Sequence, residues 1–142
     1  MNESKSNKTI LLTGATGFLG SHLTERFIEA GYKLVIVKRS FSSTERIDHL
    51  MDKLTSYDID VSAIDPVFKN HGIDIVVHTA TNYGRNKEKL SEIVYSNLVF
   101  PLELLECSKK YNVKIFLNTD TFSAREDGPL DHIYAYNLSK KQ

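Results

Sequence analysis

The stretch Thr9-Ile10-Leu11-Leu12-Thr13-Gly14-Ala15-Thr16-Gly17-Phe18-Leu19-Gly20 decides how this chain is read. Its apolar, β-branched start predicts a buried strand over about Thr9–Thr13. A helix is predicted over about Gly17–Ala30, with Leu19, Leu23, Phe27 and Ala30 sharing one face. A strand, a glycine-rich turn and a helix in succession make the arrangement that receives a dinucleotide pyrophosphate. Gly14 allows the tight turn, Gly17 lets the phosphates approach the backbone, and Gly20 lets the helix lie close to the sheet. The helix N-terminus adds free N–H groups and a positive dipole end. Gly14, Thr16, Gly17, Phe18, Leu19 and Gly20 are therefore candidate cofactor contacts. The plain alternative is a strand-to-helix turn that needs glycine only for its own geometry.

The rest of the composition narrows the class. The 142 residues suit one domain or a piece of one, and 41% apolar content supplies a core. Eighteen basic and eighteen acidic residues cancel, so no field favours nucleic acid or an anionic membrane. The single cysteine, Cys107, reads as a small core residue and fits a reducing, cytoplasmic setting. The polar start lacks the apolar core of a signal peptide, and no apolar run is long enough to span a bilayer. Residues 1–7 read as a disordered tail before a domain over 8–142. His22, His49, His71, His78 and His132 form no ligand spacing with Cys107, so no metal is expected.

Strand-like and helix-like segments alternate along the chain. Further strands are predicted at Leu34–Val37, Tyr57–Val61, Ile73–Val77 and Val113–Leu117. Helices are predicted at Thr44–Leu54, from a Ser62 cap to His71, over Asn86–Tyr111 with a kink at Pro101, and from near Ile133 onward. Gly31 and Gly72 stop two of these helices, and Lys109-Lys110 reads as a solvated helix end. Such alternation implies an α/β, Rossmann-type parallel sheet with helices on both faces, right-handed crossovers and strand order 3-2-1-4-5.

A second motif, Tyr136-Asn137-Leu138-Ser139-Lys140, joins the glycine run. With Thr119 after the fifth strand, the set resembles the extended short-chain dehydrogenase/reductase family of nucleotide-sugar epimerases, dehydratases and ketoreductases. The resemblance covers about residues 8 to 142, and Thr13 to Gly20 matches the family's glycine motif without departure. Val37-Lys38-Arg39-Ser40-Phe41-Ser42 and His78-Thr79-Ala80-Thr81-Asn82-Tyr83-Gly84-Arg85 look most like the CDP-sugar 4-ketoreductases of the abequose and paratose synthase type.

The chemistry follows from residue types. Tyr136 and Lys140, four apart on a helix, share a face. An ammonium beside a phenol favours the phenolate, which lets the phenol exchange a proton with a ketone or alcohol oxygen. Thr119 offers a second hydroxyl to that oxygen. The resemblance implies catalytic roles for Thr119, Tyr136 and Lys140, with Lys140 also reaching the nicotinamide ribose. It also implies that Asp58 and Ile59 lie beside the adenine, that Thr79, Ala80 and Thr81 line the cofactor, and that Asn97 is either a cofactor contact or a structural asparagine. Thr121 stands where the related dehydratases carry a glutamate base, which favours ketone reduction or epimerisation over dehydration.

Lys38 and Arg39 follow the second strand, where an NAD-preferring site carries an acid. A 2′-phosphate would suit two cations, so NADP is expected, with Arg39 the main contact and Ser40 a helper; NAD stays open, as does a solvated strand end. The functional expectation is an NADP-dependent 4-ketoreductase acting on a keto sugar nucleotide. The alternatives are a 4-epimerase that retains NAD and a non-catalytic nucleotide sensor. Because the chain ends at Gln142, the reading also expects a truncated form that lacks the sixth strand and the substrate domain, is inactive alone, and self-associates through exposed edge or helix surface.

Overall fold

The computed structural model describes residues 7–120 together with Tyr136 and Lys140. Five strands, β1 Thr9–Thr13, β2 Lys33–Lys38, β3 Thr55–Asp58, β4 Ile75–His78 and β5 Ile115–Asn118, form one sheet in the order β3-β2-β1-β4-β5. Every neighbouring pair is parallel, as crossover helices between strands require. The helices are α1 Phe18–Glu29, α2 Ile64–His71, α3 Leu90–Val94 and α4 Phe100–Lys110, with a 3-10 helix at Asp48–Lys53.

The alternation of strand side chains divides the core in two. Leu11, Val35 and Val76 face Val67, Phe68 and Leu104 of α2 and α4. Ile10, Leu12, Ile36 and Val77 face the other way, with Leu23 and Phe27 of α1 and with Ile47 beside the 3-10 helix. β1 is buried along its whole length, as the central strand of a covered parallel sheet must be. On β5 the residues in register with the α1-side core, Ile115 and Leu117, are 45% and 54% exposed.

Several boundaries differ from expectation. β3 begins and ends earlier than Tyr57–Val61, because its ladder partner β2 ends at Lys38, opposite Asp58. The amides of Val61 and Ser62 instead turn back to the Asp58 carbonyl, so Ala63 rather than Ser62 opens α2, without a side-chain cap. Asp65 does occupy the first turn of α2, and Gly72 ends it in the left-handed conformation at φ 56°. Thr44–Leu54 tightens into 3-10 geometry, with Leu50 N–H bonded to the Ile47 carbonyl. On α1, Leu19 and Ala30 are exposed, and the buried positions are Gly20 and Thr24.

The single kinked helix expected over Asn86–Tyr111 is replaced by α3, a π-helical turn at Tyr95–Val99, and α4. Pro101 donates no hydrogen bond and its ring crowds the carbonyl four residues back. The ladder widens before it, with the Phe100 N–H reaching the Tyr95 carbonyl. Lys110 is not merely a solvated helix end: its Nζ lies 2.5 Å from Asp65 Oδ1, tying α4 to α2. The expectations for residues 1–6, for Thr121, and for a loop up to His132 lie outside the described residues.

Candidate functional site

The carboxyl ends of the strands open onto a groove of about 810 Å3 at the point where strand order reverses, between β1 and β4. The glycine turn forms its floor. Gly14 has φ 72°, and a Cβ there would lie 2.6 Å from both Ala80 N and Thr79 Oγ1, so only glycine lets the turn press on the chain leaving β4. The Gly17 N–H bonds to the Gly14 carbonyl at 3.0 Å and closes the turn. Gly17 is also the N-cap of α1, and no side chain caps that end among the described residues. The first amides of α1, at Phe18, Leu19 and Gly20, therefore have no helical partner, and all three residues line the groove.

Gly20 acts differently from the expected helix–sheet contact. A Cβ on it would stand 2.0 Å from the Gly14 carbonyl oxygen, so the close approach is between α1 and its own glycine turn. Among the described residues the cradle thus has amides without a helical partner and a helix dipole behind it, which fits a diphosphate.

The wall beneath the groove is a polar seam between β1 and β4. Thr13 Oγ1 and His78 Nδ1 are 2.6 Å apart, and the Ala80 N–H donates to Thr13 Oγ1 at 3.2 Å. Thr79 Oγ1 donates to the Thr13 carbonyl at 2.7 Å. His78 is buried, and that burial, helped by the nearby Lys140 charge, lowers its pKa to about 4, so the imidazole is neutral. Thr79, Ala80 and Thr81 all line the groove.

At the β2 end, Lys38 is committed to Asp58, with Nζ 2.5 Å from Oδ1. Ser40 is committed to Asp60: its N–H bonds Oδ1 at 2.8 Å and its hydroxyl bonds Oδ2. These bonds hold the Asp60 carboxyl below the usual range. The Arg39 guanidinium lies over the Phe41 ring, 4.6 Å from its centroid. Lys38, Arg39 and Ile59 line the groove, whereas Ser40 and Asp58 do not and instead bond the lining residues Asp60 and Lys38.

At the other end, Thr119 follows β5, and both its N–H and its hydroxyl reach the His78 carbonyl at 3.2 Å. Lys140 Nζ donates to the Thr119 carbonyl at 2.6 Å. Burial pushes the Lys140 ammonium pKa down, and Asp120 opposes that shift. Tyr136 and Lys140 are both helical, and Tyr136 lines the same groove as Gly14 to Gly20. Asn97 is not on the groove. It is buried in the π turn, where its Oδ1 accepts the Asn82 N–H at 2.8 Å and its Nδ2 donates to the Asn82 carbonyl at 2.9 Å.

The groove also takes residues that the sequence reading did not select, among them Ser42, Asp60, Tyr83, Arg85 and Ser96. Asp60 carried a readable signal, an acid just after a strand at the ligand end of the sheet. Ser96 carried none, because a π turn shifts side chains off the helical period.

The NAD dependent epimerase/dehydratase family matches residues 10–140, and the chain belongs to that family. It is 34% identical to a Salmonella muenchen CDP-abequose synthase over 135 residues, covering 95% of this chain and 45% of that protein. Among solved structures it resembles the Thermotoga maritima UDP-glucose 4-epimerase with UDP-glucose, at 27% identity and a TM-score of 0.76, covering 94% of this chain and 48% of that one. The Bordetella bronchiseptica enzyme WbmH in complex with NAD+ is similar at 26% identity and a TM-score of 0.76, with 94% and 49% covered. The chain therefore spans about half the length of the relatives it matches.

Proposed function

We propose that this chain is the dinucleotide-binding part of an NADP-dependent 4-ketoreductase whose substrate is a keto sugar nucleotide. One observation carries the reading: Tyr136, Thr119 and the first residues of α1 line one groove, and Lys140 bonds the Thr119 carbonyl. The likeness to a CDP-abequose synthase over 95% of this chain supports a sugar nucleotide as substrate.

The amides of Phe18, Leu19 and Gly20 hold the diphosphate, and Thr79, Ala80 and Thr81 flank it. Bound there, the nicotinamide supplies hydride to the carbonyl carbon. Tyr136 gives the carbonyl oxygen its proton. A helix turn from Tyr136, Lys140 has three donors, of which one is used on the Thr119 carbonyl. The others remain to stabilise phenolate and to bond a ribose hydroxyl. The Thr119 hydroxyl proton rests on the His78 carbonyl through a long 3.2 Å bond, which a closer substrate oxygen displaces at little cost. Of Lys38, which ends β2, and Arg39, which follows it, Arg39 is the cation left to meet a 2′-phosphate, since Lys38 is neutralised by Asp58.

The test uses the complete gene product with NADPH and a CDP-4-keto sugar. Tyr136→Phe should cut turnover by about 10²- to 10⁴-fold and leave dinucleotide affinity near wild type. Wild-type turnover in that variant would remove Tyr136 from the chemistry. The likeness to a UDP-glucose 4-epimerase keeps one second reading, an epimerase with resident cofactor. Its mark is inverted product without net consumption of NADPH.

A further inference from the structure

Tyr83 has no role in the chemistry above, yet its ring contacts the ring of Tyr136. The two centroids are 4.9 Å apart and the rings are tilted by 37°. That spacing lies within the range at which aromatic pairs attract. The Arg85 guanidinium carbon lies 4.8 Å from the centroid of the same Tyr83 ring. Tyr83 therefore touches the proposed proton donor and a cation at once, at the rim of the groove that all three line.

The loop carrying Tyr83 is clamped on both sides of it. Asn82, buried, exchanges two hydrogen bonds with the side chain of Asn97. The Gly84 N–H donates to Asn82 Oδ1 at 2.9 Å, and Gly84 takes φ 69°, which glycine adopts without strain. Asn97 sits in the π turn that lies just before Pro101. Hydrogen bonds thus lead from Asn97 in the π turn to Asn82 and so to the loop that carries Tyr83.

We propose that Tyr83 is a positioning residue for Tyr136, held by the Asn82–Asn97 clamp so that its ring limits the orientations of the Tyr136 phenol; the proposal rests on the reductase role given to Tyr136 above. A tyrosine half open to a groove has several staggered orientations available. A ring fixed beside it removes those that overlap it. Proton transfer is steep in distance, and a misplacement of about 1 Å costs on the order of a hundredfold in rate. The ring, not the hydroxyl, is what Tyr83 contributes.

The experiment compares Tyr83→Leu and Tyr83→Phe with wild type in the complete gene product. It measures kcat and KM with a CDP-4-keto sugar, NADPH affinity by calorimetry, and melting by circular dichroism. Tyr83 is 46% exposed, so neither variant should unfold the domain. Tyr83→Leu is expected to lower kcat by about ten- to a hundredfold with NADPH affinity within about threefold of wild type. Tyr83→Phe should recover kcat to within about threefold, since it keeps the ring. A Tyr83→Leu enzyme with wild-type kcat, or a Tyr83→Phe enzyme as slow as Tyr83→Leu, overturns the positioning role. Tyr136→Phe is run alongside. If it turns over like wild type, the reductase reading and the positioning role fall together; if it loses turnover while Tyr83→Leu keeps wild-type kcat, only the positioning role falls.

Discussion

Replacing Gly20 with alanine puts a methyl group where three backbone atoms already stand. The new Cβ would lie 2.0 Å from the Gly14 carbonyl oxygen, 2.6 Å from the Gly14 carbonyl carbon and 2.8 Å from Ala15 Cα. No rotamer change relieves contacts with backbone. To restore an ordinary separation of about 3.5 Å, the turn must move off α1 by roughly 1.5 Å. Overpacking costs ~1–3 kcal/mol, and a clash with main chain belongs at the top of that range, about 3 kcal/mol. In a domain of this size each kcal/mol lowers Tm by about 2–4 °C, so the expected fall is about 6–12 °C. The displaced turn also carries the diphosphate cradle, so dinucleotide affinity should fall at least about tenfold, equivalent to ~1.4 kcal/mol. Gly17→Ala is the comparison, because among the described residues its Cβ would meet just the Gly14 carbonyl oxygen, at 3.3 Å. That contact yields by a few tenths of an ångström, and the cost should stay below about 1 kcal/mol. Circular dichroism melts and an NADPH titration measure both quantities. A Gly20→Ala protein that melts within about 2 °C of wild type and binds as tightly would refute the close-approach argument.

Three further outcomes follow from the same geometry. The folded pKa of His78, about 4, lies below its ordinary 6.5, so the unfolded chain takes up the proton first. Its contribution to stability is whole above pH ~6.5 and is lost as pH falls toward ~4, on the order of 3 kcal/mol in all; urea melts across that window should show the slope, and His78→Gln should flatten it. Arg39→Ala should weaken NADPH about tenfold or more while changing NADH little, and equal losses for the two would remove Arg39 from a 2′-phosphate site. Asn97→Leu leaves the buried Asn82 N–H and carbonyl without their partners and should cost about 1–3 kcal/mol, with dinucleotide affinity nearly unchanged; a large loss of affinity at unchanged stability would make Asn97 a cofactor contact instead.

Much of the architecture was legible because it rests on local rules. The glycine spacing marked the turn through backbone freedom, and the apolar runs at Ile10–Leu12 and Leu34–Val37 marked strands covered on both faces. The alternation of strands and helices implied parallel strands joined by right-handed crossovers, and the dinucleotide-type turn after β1 selected the order 3-2-1-4-5. Boundaries that depend on a partner were not legible. β3 ends where β2 stops offering a ladder, and Ser62 is drawn away from capping α2 by the Asp58 carbonyl. The Pro101 signal was read as a kink; whether a helix bends or widens depends on what the freed groups meet nearby.

The site divides along the same line. Sequence by itself determined that Gly14, Gly17 and Gly20 make a turn onto a helix N-terminus, because the steric demands of φ and the period of side chains act within a few residues. Tertiary structure alone decided that Lys38 is spent on Asp58 while Arg39 lies over Phe41, and that Asn97 braces a loop rather than lining the groove. It alone brought Tyr83 against Tyr136. Those pairings join residues from separate elements, and only the packing of helices and loops around the sheet sets the distances between them.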